Sequence, residues 1–185
     1  MNILKILIII SLTHLGFGAF AEEQSEPAPQ ESPPVPSYPC ENDSRFAEFD
    51  FWVGKWDVHD TTGTFQGSNV IEREQHGCVL VENWTGAGGS TGMSINYFDT
   101  KSDEWVQFWL AAGGYYIDIR GGLTDDGMLL TGIIHNMNKG TTTPFRGLWT
   151  ALADGRVRQF FEQSNDGGET WVPWFEGFYS RKTAD

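Results

Sequence analysis

Hydrophobic and polar residues alternate in short runs along most of this chain, and glycine-bearing turns cut the runs at close intervals. Val79 and Val81 alternate with Leu80 and Glu82; Met93, Ile95 and Tyr97 with Ser94 and Asn96; Tyr115, Ile117 and Ile119 with Tyr116, Asp118 and Arg120. A period of two is the mark of a strand with unlike faces. The separators are Thr62-Gly63, Asp126-Gly127, Asp154-Gly155 and Asn165-Asp166-Gly167-Gly168, all residue types that turns need. Together they predict ten strands, over 51–60, 65–76, 78–85, 91–99, 104–111, 115–121, 127–136, 144–152, 156–164 and 170–180. One short helix is expected over Asp43 to Phe49, capped by Asp43 or Ser44 and placed to plug a barrel end. The fold class is therefore all-β, an antiparallel meander, which avoids exposed edges best by closing into a barrel.

Two stretches carry aromatic residues on both faces, Trp105-Val106-Gln107-Phe108-Trp109 and Trp171-Val172-Pro173-Trp174-Phe175. That pattern requires either a covered outer surface or a lumen wide enough to need its own lining.

The words Phe49-Asp50-Phe51-Trp52-Val53-Gly54-Lys55-Trp56-Asp57-Val58 place Gly-x-Trp on the first strand just after the short helix. This opening resembles that of the calycin group, which includes lipocalins, fatty-acid-binding proteins and nitrobindin-type barrels. His76-Gly77-Cys78-Val79-Leu80-Val81-Glu82-Asn83-Trp84, Gly92-Met93-Ser94 with Tyr97-Phe98-Asp99, Arg146-Gly147-Leu148-Trp149-Thr150, Val157-Arg158-Gln159 and Phe175-Glu176-Gly177-Phe178-Tyr179 extend the likeness. Together they resemble the calycin-like bacterial DUF1579 type, from about Phe49 to Arg181. The resemblance implies that Trp56 closes one barrel end beside a basic side chain from a late strand, Arg158 or Arg181. It says little about function, because such barrels serve many ligands. Nitrobindin-type haem binding would need a lumen histidine near the chain's end, and no histidine follows His135. No cofactor is expected.

The ends add context. Lys5, the apolar run from Ile6 and the Ala19-Phe20-Ala21 triplet have the order of a secretory signal peptide, residues 1–21. The apolar run is shorter than the ~20 residues that span a bilayer and is broken by Ser11, Thr13 and His14. Residues 22–39 hold six of the eight prolines and four glutamates, and read as an extended tether. Residues 40–185 form the expected barrel domain. The two cysteines, Cys40 and Cys78, have no neighbouring histidine pairs to make a zinc site. In an exported chain they are expected to form a disulfide, and localisation is read as periplasmic or secreted.

Net charge is −13, from 25 acidic and 12 basic residues. A phosphate-binding face needs clustered Lys and Arg, so nucleic acid and anionic membrane surfaces are not expected partners, nor is insertion in a membrane.

Candidate chemistry is sparse. His59, His76 and His135 are well separated, and although Asp57 and His59 share a strand face, no metal site is expected. No serine lies in G-x-S-x-G. Ser164-Asn165-Asp166-Gly167-Gly168-Glu169-Thr170-Trp171 matches the Asp-box pattern once, where a propeller needs a repeat per blade; it reads as a turn held by its aspartate. Gly86-Ala87-Gly88-Gly89 and Gly113-Gly114 read as hairpin ends.

The informative set is polar residues inside otherwise apolar strands: Glu82, Asn83, Gln107, Asp118, Arg120, Arg146, Arg158, Gln159 and Glu162. Facing inward, they would have to pair and would make a polar floor under a ligand; facing outward, they are a solvated surface. With eight Trp, five Tyr and 13 Phe, more than a small core needs, the first reading is a binding barrel. It takes a small, largely apolar molecule with a polar tip. The expected ligand-binding residues are Glu82, Trp84, Tyr97, Gln107, Trp109, Tyr116, Arg146, Trp149 and Arg158. Two alternatives stand beside it: a lumen enzyme using Asp118, Glu82 or Glu162, and an interaction module with an exposed aromatic patch, including a homodimer.

Overall fold

The computed structural model describes residues 37–183. The expected signal peptide and nearly all of the tether lie outside the described residues. A single helical turn, α1 (Pro39–Asn42), is followed by 3-10 turns at Ser44–Ala47 and Asp50–Trp52. Asp43 caps the first of these, its side chain accepting from the Arg45 backbone N–H at 3.0 Å. The helical region is thus three short turns rather than one helix. The first strand consequently begins later than the pattern predicts, at Gly54, because Asp50–Trp52 curls inward to bury Trp52.

Ten strands follow: β1 (Gly54–His59), β2 (Phe65–Glu74), β3 (Val79–Gly86), β4 (Thr91–Asp99), β5 (Glu104–Ala111), β6 (Tyr115–Thr124), β7 (Gly127–Asn136), β8 (Thr141–Ala151), β9 (Val157–Gln163) and β10 (Val172–Arg181). Each pairs antiparallel with its sequence neighbours, and β1 pairs with β10 through Trp56↔Arg181 to His59↔Phe178, closing the barrel. The meander leaves no unpaired sheet edge. This architecture is consistent with a calycin-like fold.

One end of the barrel is filled. Phe49 and Trp52 pack against Trp149, with centroids at 5.2 and 5.6 Å, and Phe49 also meets Trp105 edge-on at 5.6 Å. Trp56 is fully buried; its indole N–H donates to the Trp52 carbonyl at 2.9 Å, and the Arg181 guanidinium lies 3.9 Å from its ring centroid. Arg181, of the two arginines considered, is the one that covers Trp56. It also donates to the Val53 carbonyl at 2.7 Å, tying the end of β10 to the start of β1.

Cys40 and Cys78 are disulfide-bonded, with Cα atoms 5.0 Å apart. The bond fastens α1 to the turn before β3, where Tyr38 stacks on His76 at 3.6 Å. Among the described residues, no helix is long and apolar enough to cross a membrane.

Candidate functional site

The other end of the barrel is open. A cavity of about 440 Å3 enters there, within the ~300–1,000 Å3 range of small-molecule sites. Its mouth is formed by Gly86, Ala87 and Gly88 of the β3–β4 hairpin and by Gly113 after β5. The glycine clusters read from sequence as hairpin ends are therefore also the rim. Its walls are Trp84, Trp109, Tyr115, Phe161, Trp174 and Phe175, and its floor holds Glu82, Gln107, Gln159 and Tyr179.

Glycine makes room for several of these rings. A Cβ at Gly92 would overlap the Trp109 indole, one at Gly147 the Phe161 ring, and one at Gly177 the Phe175 ring. Each ring therefore lies flat on the inner sheet surface over a residue without a side chain. A register shift between Pro173 and Phe175 interrupts the alternation of β10, and both Trp174 and Phe175 line the cavity.

The floor belongs to a buried polar layer. Asn69 on β2 donates to Glu82 Oε1 at 2.7 Å, and Ser94, directly opposite Glu82 on β4, donates to Oε2 at 2.6 Å. Asn96 donates to Ser94 Oγ at 2.8 Å and to the Leu80 carbonyl at 3.1 Å; Gln107, opposite Asn96 on β5, donates to Asn96 Oδ1 at 2.8 Å. Across the lumen the Tyr179 hydroxyl donates to Gln159 Oε1 and accepts from Asn69 at 3.3 Å.

This layer has a direction. The Leu80 carbonyl can only accept, which fixes the Asn96 amide with Nδ2 toward β3 and Oδ1 toward Gln107. Gln107 must then present Nε2, and its Oε1 is left without a partner, as is Asn69 Oδ1. Donors run from Gln107 through Asn96 and Ser94 to end on Glu82.

Glu82 is 4% exposed, and no Lys, Arg or His is among the residues lining the cavity. Burial therefore pushes its carboxyl above the ordinary range, and the hydrogen bonds from Ser94 and Asn69 oppose that only in part. The Tyr179 hydroxyl is likewise raised, by burial first and by the nearby Glu82 second.

Of the nine residues expected at the ligand site, the cavity brings together Glu82, Trp84, Gln107 and Trp109. The other five lie elsewhere. Trp149 is fully buried in the filled end. Tyr97 and Tyr116 sit on the outer face, since their neighbours Asn96 and Phe98, and Ile117, are the buried ones; Tyr116 stacks between Phe108 at 5.6 Å and His135 at 4.9 Å. Arg146 and Arg158 also face outward. Arg146 pairs with Glu162 at 2.7 Å and covers Trp171, while Arg158 pairs with Glu176 at 2.7 Å and covers Phe160. Alternation about buried neighbours likewise turns Asp118 outward. Of the three carboxylates considered for a lumen enzyme, Glu82 is the one inside.

The strip Met93-Ser94-Ile95-Asn96-Tyr97 runs against the simplest reading of its pattern. Its polar residues face the lumen, Ser94 and Asn96 each being 1% exposed, while Met93 and Ile95 are 45% and 44% exposed outside. Ser94 and Asn96 are inward because they complete the hydrogen bonding of Glu82 and Gln107. Sequence reasoning did not single out Asn69, Ser94, Asn96, Tyr179 or Phe161 as site residues. The available signal was polar residues recurring at every second position on adjacent strands.

The Asp-box segment is a turn. Asp166 accepts from the Thr170 hydroxyl through Oδ2 at 2.5 Å, and through Oδ1 from the Thr170 N–H at 2.8 Å and the Ser164 hydroxyl at 2.7 Å, which together hold its carboxyl well below the usual range, while Gly167 and Gly168 take φ of 79° and 102°. A depression beside the β1–β2 turn is lined by His59, Asp60 and Arg156, but Asp60 is bonded to Thr62, Thr64 and Gln66, and Arg156 to Asp154. Among the described residues no three His, Cys, Asp or Glu side chains gather as a metal site would require.

Neither the protein-family models nor the curated proteins provide a match to this chain.

Proposed function

We propose that this protein is an exported binding barrel that holds a small, largely apolar molecule with a polar tip in the open end of its lumen. The observation that carries the reading is the pairing of an aromatic-walled cavity with a buried polar floor on which Gln107 Oε1 is unpartnered. An unsatisfied buried acceptor costs about 1–3 kcal/mol, which a ligand donor would recover. Export is supported by the disulfide, since such bonds persist in oxidising compartments. On this reading the chain belongs with the calycin-like barrels of the DUF1579 type.

The test is titration with the neutral dye Nile red, followed by its emission. Saturable one-to-one binding is expected, and Ala111→Trp, which fills the mouth, abolishes it without lowering thermal stability. Absence of saturable binding, or binding unaffected by Ala111→Trp, overturns the reading.

A second reading rests on the outer face of β4 and β5. Met93 and Leu110 are cross-strand partners, Ile95 stands opposite Phe108, and the first three are 44–45% exposed. This uncharged strip suits self-association as a homodimer. Sedimentation of the wild type against Ile95→Lys tests it: a dimer lost in the variant supports it, and a monomer at all concentrations rejects it.

A further inference from the structure

We infer that the polar tip the lumen takes is an organic ammonium group, so that the barrel binds aryl or alkyl amines in preference to alcohols and carboxylic acids of the same shape. This deepens the binding reading above and rests on it.

Three observations converge on the choice. Apart from the Gln159 amide nitrogen, the side-chain groups on the cavity floor that are open to a ligand are acceptors or an acid. Gln107 Oε1 is unpartnered, each Glu82 oxygen carries one hydrogen bond with acceptor capacity to spare, and Gln159 Oε1 accepts from Tyr179. An ammonium brings donors alone and matches that floor, whereas a carboxylate brings acceptors alone and meets Glu82 as a like charge.

Next, the arginines that would neutralise an acid tip are turned away from the lumen. Arg146 and Arg158 are occupied outside by Glu162 and Glu176. The aromatic enclosure is the third. Trp84, Trp109, Tyr115, Trp174 and Phe175 surround the space above the floor, and ring faces attract a cation more strongly as water is excluded. The chain's net charge of −13 also raises the local concentration of cations over anions.

The floor has one further consequence. Glu82 faces Asn69 from β2, Ser94 from β4 and, through Asn69, Tyr179 from β10; Gln107 and Gln159 complete the floor from β5 and β9. None of these is a cation, so an arriving ammonium supplies the missing counter-charge. Ammonium binding therefore expels a proton from Glu82 wherever the carboxyl is protonated in the empty barrel, and amine affinity rises with pH through that range.

Isothermal titration of the full chain with phenylbutylamine, phenylbutanol and phenylbutanoate decides the matter. The amine is expected to bind at least tenfold tighter than the other two, with an enthalpy that depends on buffer ionisation as protons are released. Glu82→Gln is expected to remove the amine's advantage, bringing the amine-to-alcohol affinity ratio to within about threefold of one. If the variant does not fold, the wild-type amine-to-alcohol affinity ratio measured from pH 5 to pH 8 serves instead, and it should grow with pH. An alcohol or carboxylate that binds as tightly as the amine overturns this inference while the lumen reading stands. Failure of all three to bind overturns both.

Discussion

Replacing Glu82 by glutamine isolates the energetic consequence of a buried acid with no cation beside it. The carboxyl is 4% exposed and its pKa is raised above the ordinary 4.5. As pH climbs past 4.5, the unfolded chain releases this proton while the folded chain retains it. Stability therefore falls with rising pH by up to about 1.4 kcal/mol per unit, until the folded carboxyl ionises as well. Glutamine has the shape of the protonated acid and does not titrate. With its oxygen toward Asn69 and its amide toward Ser94, it fits the same partners, but the Ser94 hydroxyl loses its acceptor, at a cost of about 1 kcal/mol. Below pH 4.5 Glu82→Gln should consequently be level with the wild type or less stable by about that amount. Toward pH 8 it should gain on the wild type and overtake it. Urea unfolding of both proteins from pH 4 to pH 8 measures the difference, and the surface carboxylates common to both cancel. A difference that stays constant with pH would refute the claim that Glu82 is destabilised by burial as an ion. One that moves in the wild type's favour with pH would show an opposite charge next to Glu82.

Other consequences concern facing and the covalent frame. Arg146→Ala and Arg158→Ala should each change stability by under about 1 kcal/mol, because their ion pairs are partly exposed, and should leave Nile red affinity within twofold; a large loss of affinity would place them at the lumen. Gln107→Leu removes the unpartnered acceptor and should weaken phenylbutylamine more than phenylbutanol, as read by titration calorimetry. Gly92→Val would collide with the Trp109 indole, so it should displace that ring, alter tryptophan emission and cut dye affinity at least tenfold. Cys40→Ala with Cys78→Ala opens a link spanning 38 residues, and urea unfolding should show a loss of roughly 3 to 4 kcal/mol in the chain-entropy account.

The existence and order of the strands were legible because a period of two survives even where the inward face is unusual. The resemblance at Gly54-x-Trp56 also led to the right closed end, where Trp56 lies under Arg181. What periodicity does not encode is the sign of a face. On β6 the apolar set, Ile117 and Ile119, faces in; on β4 the polar set does. The difference arises from partners distant in sequence: Ser94 is inward because Glu82 lies opposite it, and Asn96 because Gln107 does. Arg146 and Glu162 likewise look like a lumen pair in sequence, but they stand opposite each other on the outer surface of β8 and β9. The aromatic load points to Trp149 as a ligand-site residue, yet its place along β8 sets it in the filled end against Trp52 and Phe49. Depth along a strand, unlike side, leaves no periodic trace.

Tryptophan side chains report on both ends of the barrel, which makes them the most direct test of where a ligand sits. Two-dimensional NMR of the indole N–H groups, with phenylbutylamine as the probe, should show saturable shifts for Trp84, Trp109 and Trp174 at the open end, accompanied by the side-chain amides of Gln107 and Gln159. The signals of Trp52, Trp56, Trp105 and Trp149 in the filled end should stay in place. Shifts confined to the filled end or to residues of the outer face, or no saturable shift in the lumen signals, would contradict the account.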